Sequence, residues 1–236
     1  MSEGLREKHK RRTRRRIADV ATGLFLERGF DRVTVAEVAE AAEVSVNTVY
    51  NYFPAKEDLV LPPDQASPHR LADIVRERAP GRSAAQAVLD RLREEVERRD
   101  RSLGLTEGFG PFFAMMRAAP TLLARLEELG HRMNDELAAV LAEETGAAPE
   151  DPLPRVVAAQ ISGYHSLIFG EIGRRVTAGE HPDAIAKAVT ELLDAIEEML
   201  GAPMLDYAVR EGPPSPPLPA TRGSAPGPRS SSAGRA

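Results

Sequence analysis

The chain has 236 residues, of which 28% are charged and 42% hydrophobic, and its formal net charge is −5. This is the composition of an ordinary globular protein that is long enough to bury one or two cores. The lack of cysteine excludes a disulfide scaffold, a thiolate zinc site and a cysteine nucleophile. Because no run of about 18 apolar residues occurs and no apolar stretch follows the basic N-terminus, we expect a cytoplasmic protein without a membrane segment.

The charge is unevenly distributed along the chain. Residues 1–16 contain eight Lys and Arg against two Glu, which gives +6, so the other 220 residues sum to −11. We expect residues 1–10 to form a basic flexible arm. A basic arm can contact phosphates, but charge alone fits a solvated terminus equally well.

Helical periodicity dominates the sequence, and the absence of a useful alternating pattern predicts an all-α fold. A first helix over about 11–28 carries one apolar stripe and stops at Gly29. A second helix, 34–42, starts with the capping box Thr34 to Glu37. A third, 45–53, has Ser45 as its N-cap and ends before a proline.

Prolines between 61 and 68 mark the most probable domain boundary. The domains we predict are an N-terminal helical unit over 11–61 and a helical body over 69–205. Helices are expected in that body at about 69–79, 84–99, 105–117, 121–145, 153–178 and 182–200. A tail rich in Pro, Gly and Ser, 212–236, is expected to be disordered.

The segment 34–53 contains two short helices with a three-residue turn, which is the pattern of a helix-turn-helix. The residues predicted to face the core are Val46, Val49, Tyr50 and Phe53. For Tyr50 we expect the ring to pack and the hydroxyl to point outward. Ser45, Asn47, Thr48, Asn51 and Tyr52 are predicted to face outward, where small hydrogen-bonding groups suit base reading. An ordinary helical hairpin with a polar solvent face would show the same spacing.

The wider context favours DNA binding. Over residues 11–61, the sequence resembles the DNA-binding domain of TetR-family transcriptional regulators. The motifs that carry the resemblance are Ile17 to Asp19 through Leu24-Phe25, Glu27 to Phe30, Thr34-Val35, Val44-Ser45 and Tyr50 to Leu59. The sequence departs from the family at Glu43, which stands where the turn usually has Gly. If that residue is left-handed, its strain is about 1 kcal/mol.

The resemblance implies a set of DNA-binding residues. Thr34 would cap the second helix against a phosphate, and the start of the third helix would enter the major groove. Tyrosine hydroxyls and the Lys56 ammonium would contact the backbone. The complete set is Thr34, Ser45, Val46, Asn47, Thr48, Tyr50, Asn51, Tyr52 and Lys56.

The body contains most of the remaining aromatic and methionine side chains. Polar groups among apolar ones suit a small-molecule effector site, although core packing explains the same residues. The candidate ligand-binding residues are Phe109, Phe112, Phe113, Met116, Tyr164, His165 and Phe169.

The last two helices are the expected homodimer interface. Gly163 and Gly170 permit close approach, and a stripe runs from Ile185 through Val189, Leu192 and Ile196 to Leu200. The family pairs such helices into a four-helix bundle, although an intramolecular core could use the same stripe. A dimer would let two reading helices meet half-sites about 34–36 Å apart.

No metal site, cofactor or enzymatic activity is expected, because the five histidines lack ligand spacing and no catalytic motif occurs. We predict a ligand-responsive regulator that represses transcription, releasing a palindromic operator on double-stranded DNA when a small molecule binds the body. The alternative is a constitutive dimeric DNA-binding protein without an effector.

Overall fold

The computed structural model describes residues 4–60, 67–100, 103–105 and 109–211, and these residues contain helices and no strand. The elements, in chain order, are α1 (Leu5–Arg28), α2 (Val35–Ala41), α3 (Val46–Tyr52), a 3₁₀ turn (Glu57–Leu59), α4 (Arg70–Glu77), α5 (Ala84–Glu97), α6 (Phe109–Ala118), α7 (Pro120–Thr145), α8 (Leu153–Thr177), α9 (Pro182–Met199) and α10 (Ala202–Leu205). No helix in these ranges is long and apolar enough to span a membrane.

The predicted helices are present, with three differences at their ends. Helix α1 begins at Leu5 rather than near residue 11, because Lys, Arg and Glu are good helix formers and no breaker separates them from the apolar stripe. The described part of α6 starts at Phe109, whereas residue 105, where the helix was expected to start, is not helical; the short α10 was not predicted. The predicted tail, 212–236, lies outside the described residues.

The described residues form two hydrophobic cores. We call residues 4–60 the head and the described residues from 67 to 211 the body. The body core is built from α4, α5, α7, α8 and α9 and contains fully buried side chains such as Leu89, Leu137 and Ile168.

The head core extends beyond the boundary predicted from the sequence. It contains Ile17 and Phe25 of α1 together with side chains of α2 and α3. Four buried residues that follow the boundary complete it: Phe112 and Met116 of α6, Ala119, and Leu122 of α7. Helix α6 therefore packs against both units, since it also contacts α8 of the body.

Gly173 of α8 allows this close approach of α6. A Cβ atom at that position would lie 2.0 Å from Cε1 of Phe113, so the aromatic ring rests directly on the α8 backbone. A side chain there would force α6 and α8 apart.

Candidate DNA-reading surface and effector site

The start of α2 is fixed by a reciprocal capping box. The Thr34 hydroxyl accepts from the backbone N–H of Glu37 at 3.2 Å, and the Thr34 N–H donates to the Glu37 carboxylate at 2.7 Å. Arg28, at the end of α1, donates to the other carboxylate oxygen at 2.6 Å. The backbone hydrogen bond from Thr34, followed by the bond from Arg28, lowers the pKa of Glu37 to about 2. The predicted cap is therefore confirmed, and Arg28 ties it to α1.

The turn between α2 and α3 contains the left-handed residue on which the expected strain depends. Glu43 has φ 53°, in the left-handed region, although it carries a side chain. The turn is closed by backbone bonds from Val44 N–H to Ala39 O at 2.9 Å and from Glu43 N–H to Glu40 O at 3.0 Å. This strained residue sets the angle at which α3 leaves α2.

Helix α3 is capped by Ser45, whose hydroxyl accepts from the Thr48 N–H at 3.0 Å. The Ser45 and Thr48 hydroxyls also lie 2.8 Å apart, so one donates to the other. Both predicted reading hydroxyls are thus already engaged in the cap. A DNA contact by either would use the hydrogen-bonding capacity that remains, because a hydroxyl has one donor and two acceptor positions.

The exposed face of α3 differs in part from the prediction. Asn47 and Asn51 are exposed as expected, but Val46 and Tyr50, which were predicted to face the core, are 38% and 48% exposed. Tyr52 was predicted to face outward and instead packs, half-buried, against the head core.

The reason for this difference is the position of the buried stripe. Val49 and Phe53 are buried, and Tyr52 lies three residues after Val49 and therefore on the same face of the helix. The face that remains for DNA is formed by Val46, Asn47, Tyr50 and Asn51.

Lys56 is bonded inside the head. Its ammonium donates to the backbone oxygen of Phe30 at 2.6 Å and lies 4.3 Å from the centre of the Phe30 ring and 5.8 Å from that of Phe25. Lys56 therefore stabilises the segment between α1 and α2 in the free protein. The phosphate contact that the resemblance implies remains a prediction.

The basic N-terminal residues belong to α1, and one of them, Arg14, lies next to the end of the reading helix. The Arg14 guanidinium lies 5.4 Å from the centre of the Phe53 ring, at the end of α3. Arg12, Arg15 and Arg16 are exposed on the same helix. The positive charge is therefore carried by a helical extension. The expectation of a flexible arm is wrong for residues 5–10, which are helical.

The aromatic residues of α6 lie at the junction of head and body. Phe109 and Phe112 have ring centres 4.9 Å apart, and Phe109 and Phe113 are separated by 6.0 Å. Phe112 and Met116, predicted to bind a ligand, are used in the head core. Their apolar periodicity indicated burial but not which unit they pack against.

A cavity of about 320 Å³ lies between the start of α6 and the turn from α8 to α9. Its wall includes Phe109, Val176 and Ile185. Phe109 is thus the predicted ligand residue that lines this cavity.

Tyr164 and His165 have different environments within α8. The Tyr164 hydroxyl donates to the Ala85 backbone oxygen at 3.3 Å, and burial raises the pKa of Tyr164. Tyr164 is therefore a hydrogen-bonded core residue. The His165 ring lies 4.7 Å from the Phe169 ring, and its Nε2 is buried without a partner.

An ion pair between head and body was not foreseen. Nε and Nη2 of Arg125 on α7 each donate to Oδ1 of Asp58 at 3.1 Å. Asp58 also accepts from the Ala55 N–H at 3.0 Å. The two charged residues are 67 positions apart, so no local pattern could have revealed the pair.

The predicted dimer stripe of α9 packs within the chain. Ile185 and Val189 are buried in the body core, against which Leu192, Ile196 and Leu200 also pack. The outward apolar face lies on α8 instead. Val156 and Leu167 are 47% and 54% exposed there, and open space surrounds the Cβ positions of Gly163 and Gly170.

Comparison with known proteins agrees with this architecture. Residues 17–61 match the family model described as bacterial regulatory proteins of the tetR family. The chain is 30% identical over 210 residues to the HTH-type transcriptional regulator TcmR of Streptomyces glaucescens, covering 84% of this chain and 89% of that protein. It is 27% identical over 144 residues to the HTH-type transcriptional repressor KstR of Rhodococcus jostii, covering 61% of this chain and 66% of that protein.

Among solved structures, NalD of Pseudomonas aeruginosa, the secondary repressor of the MexAB-OprM multidrug efflux pump, is 19% identical with a TM-score of 0.49. That comparison covers 78% of this chain and 96% of NalD. The family of the chain is established by its likeness to TcmR along most of both sequences. This all-α protein is a DNA-binding transcriptional regulator of the TetR family, not an enzyme.

Proposed function

We propose that the protein is a homodimeric repressor that releases a palindromic operator when a small molecule binds its body. The observation that carries this proposal is the head core completed by α6 and α7. Phe112, Met116 and Leu122 are buried among side chains of α1, α2 and α3. A ligand that displaces α6 in the body must therefore repack the head that holds the reading helix.

The ion pair between Arg125 and Asp58 supports the same coupling, because it fixes α7 to the segment that follows α3. A ligand can shift the reading helices only by as much as its affinity differs between the two arrangements. The repressing direction is supported by the likeness to KstR, which is named a repressor.

The DNA contacts proposed for the head follow its exposed face. Asn47 and Asn51 would read base edges, and Val46 would meet a thymine methyl group. The exposed Tyr50 hydroxyl would bind a phosphate, as would Lys56 and the backbone at the Thr34 cap. Ser45, Thr48 and Tyr52 are assigned supporting contacts, since their side chains also hold α3 in place.

Dimerisation is assigned to α8, with Leu167 and the two open glycines at its centre and the exposed Met199 of α9 at its edge. Small residues allow the partner helix to approach closely, and the apolar side chains gain by burial. A two-fold dimer presents two reading helices to two half-sites of a palindrome.

Selection of bound duplexes from a random pool, using the full chain, tests this function. A palindromic sequence should be enriched, and fluorescence anisotropy should then show that some metabolite mixture lowers operator affinity. Enrichment of no palindrome would contradict the dimeric reader. A palindrome whose affinity no mixture alters would identify a constitutive DNA-binding protein instead.

A further inference from the structure

Four buried side-chain atoms in the body have no hydrogen-bond partner. They are Arg70 Nε on α4, Asn134 Oδ1 on α7, and Ser162 Oγ and His165 Nε2 on α8. Each such atom costs about 1–3 kcal/mol when it is left unsatisfied. Buried polar groups in folded proteins are nearly always paired, so an unpaired set requires an explanation other than packing.

The helix geometry brings these atoms to one region. Helices α7 and α8 pack against each other and are joined by the short segment 146–152, so they run antiparallel. Asn134 lies eleven residues before the end of α7 and His165 lies twelve residues after the start of α8. At about 1.5 Å per residue, the two side chains stand at nearly the same level.

The other two groups belong to the same place. Ser162 precedes His165 by three residues and therefore lies on the same face of α8. Arg70 is close enough that its charge acts on His165. An ion pair between His69 and Glu136, at 3.2 Å, also joins the start of α4 to α7 two residues beyond Asn134.

The region has no net charge to offer an occupant. Arg70 Nη2 donates to both carboxylate oxygens of Glu95, at 2.8 and 2.7 Å, and the two side chains are only 11% and 10% exposed. Burial, followed by the charge of Arg70, lowers the pKa of His165 to about 4, so its ring is neutral at pH 7. A charged occupant would be buried without a counterion, which is strongly unfavourable.

The shape and hydrogen-bonding capacity narrow the occupant further. The His165 and Phe169 rings, tilted by 37° with centres 4.7 Å apart, offer two aromatic faces, against which another aromatic ring can pack. Arg70 Nε–H requires an acceptor, the Asn134 carboxamide oxygen requires a donor, and the Ser162 hydroxyl can serve as either.

We propose that Arg70, Asn134, Ser162 and His165 form the polar contacts of the effector site, and that the effector is an uncharged aromatic molecule with both a donor and an acceptor. This inference rests on the proposed ligand response. It adds the chemical class of the effector that would bind the body.

The test uses two probes with the same ring system and the full chain. Acetylnaphthol carries a ketone and a hydroxyl and is uncharged, whereas hydroxynaphthoate has a carboxylate in place of the ketone. Isothermal titration should show saturable binding of acetylnaphthol and binding of hydroxynaphthoate that is weaker by about tenfold or more. Equal or tighter binding of the carboxylate, or no saturable binding of acetylnaphthol, would overturn the proposal.

Variants locate the binding. His165→Leu removes Nε2 and keeps an apolar side chain, and Ser162→Ala removes one oxygen with little risk to folding. Each should weaken acetylnaphthol binding by about tenfold, the loss of one hydrogen bond. The matched control is His131→Leu at an exposed position of α7, which should bind like the parent chain. Unchanged binding in both His165→Leu and Ser162→Ala refutes the site.

Operator anisotropy separates this inference from the function on which it rests. If acetylnaphthol binds through these residues but leaves operator affinity unchanged, the ligand response is refuted and the site is retained. If a metabolite mixture releases the operator equally from the parent chain and from both variants, the proposed site is refuted and the ligand response is retained.

Discussion

The head and the body use polar side chains in opposite ways. Around α2 and α3, polar groups cap helix starts or face solvent, as Thr34, Ser45 and Asn47 do. In the body, Asn134 and His165 are directed into the interior with atoms that lack partners. Around α2 and α3 the head therefore presents its polar groups to a surface outside the protein. Buried side-chain atoms without a partner are concentrated in the body, which has four, whereas the head has one, Arg14 Nε.

The two regions are joined by shared packing, and breaking that packing should give the largest effect. Leu122→Ala, in α7, removes a fully buried side chain from the head core and should lower the free energy of unfolding by about 2–5 kcal/mol. Urea denaturation measures this loss. Operator affinity should fall with it, because the head loses its support.

Leu123→Ala is the matched control, since the adjacent side chain is 44% exposed. Its effect should stay within about 0.5 kcal/mol. Equal effects of the two changes, or a head that still binds its operator normally in Leu122→Ala, would show that head and body fold and act independently.

The second prediction concerns the surface through which the head acts. Asn47→Ala removes an exposed carboxamide from α3 and should cost about 1–3 kcal/mol of operator affinity, with relaxed preference at one base pair in each half-site. Anisotropy on the selected operator and its single-base variants measures both effects. A loss that is uniform across all duplexes would make Asn47 a backbone contact instead.

Local sequence patterns predicted the helices and the short turn between α2 and α3 because their causes are local. The capping box at the start of α2, the glycine after α1 and the short turn at Glu43 each act within a few residues. Patterns at helical spacing also showed that Phe112 and Val189 are buried. They could not show that Phe112 packs in the head or that Val189 packs within its own chain, because a stripe does not specify its partner.

The candidate site was predicted less completely for the same reason. Asn47 and Asn51 are exposed as expected, but the orientation of Tyr50 and Tyr52 depends on how α3 sits on the head core. Arg70 was not foreseen at all. Its environment is created by Glu95, 25 positions away, and by the packing of α4 against α7.

Lys56 tests whether one residue serves both the interior and the surface of the head. Lys56→Met removes the bond to Phe30 and the ring contacts, so the free energy of unfolding should fall by about 1–2 kcal/mol. If the ammonium also neutralises a phosphate, the slope of operator affinity against salt should flatten by about one unit. An unchanged slope with lower stability would limit Lys56 to an internal role.

The smallest effect concerns the angle between α2 and α3. Glu43→Gly removes the left-handed strain and should raise the free energy of unfolding by up to about 1 kcal/mol. Glu40→Gly, three residues earlier and inside α2, should lower it by about 1 kcal/mol, since glycine is a poor helix former. Thermal or urea unfolding of the two variants should show changes in stability of opposite sign, although each variant replaces Glu by Gly. If both changes lower the free energy of unfolding, a stabilising contact of the Glu43 side chain offsets the strain. That residue then helps to hold the reading helix in place.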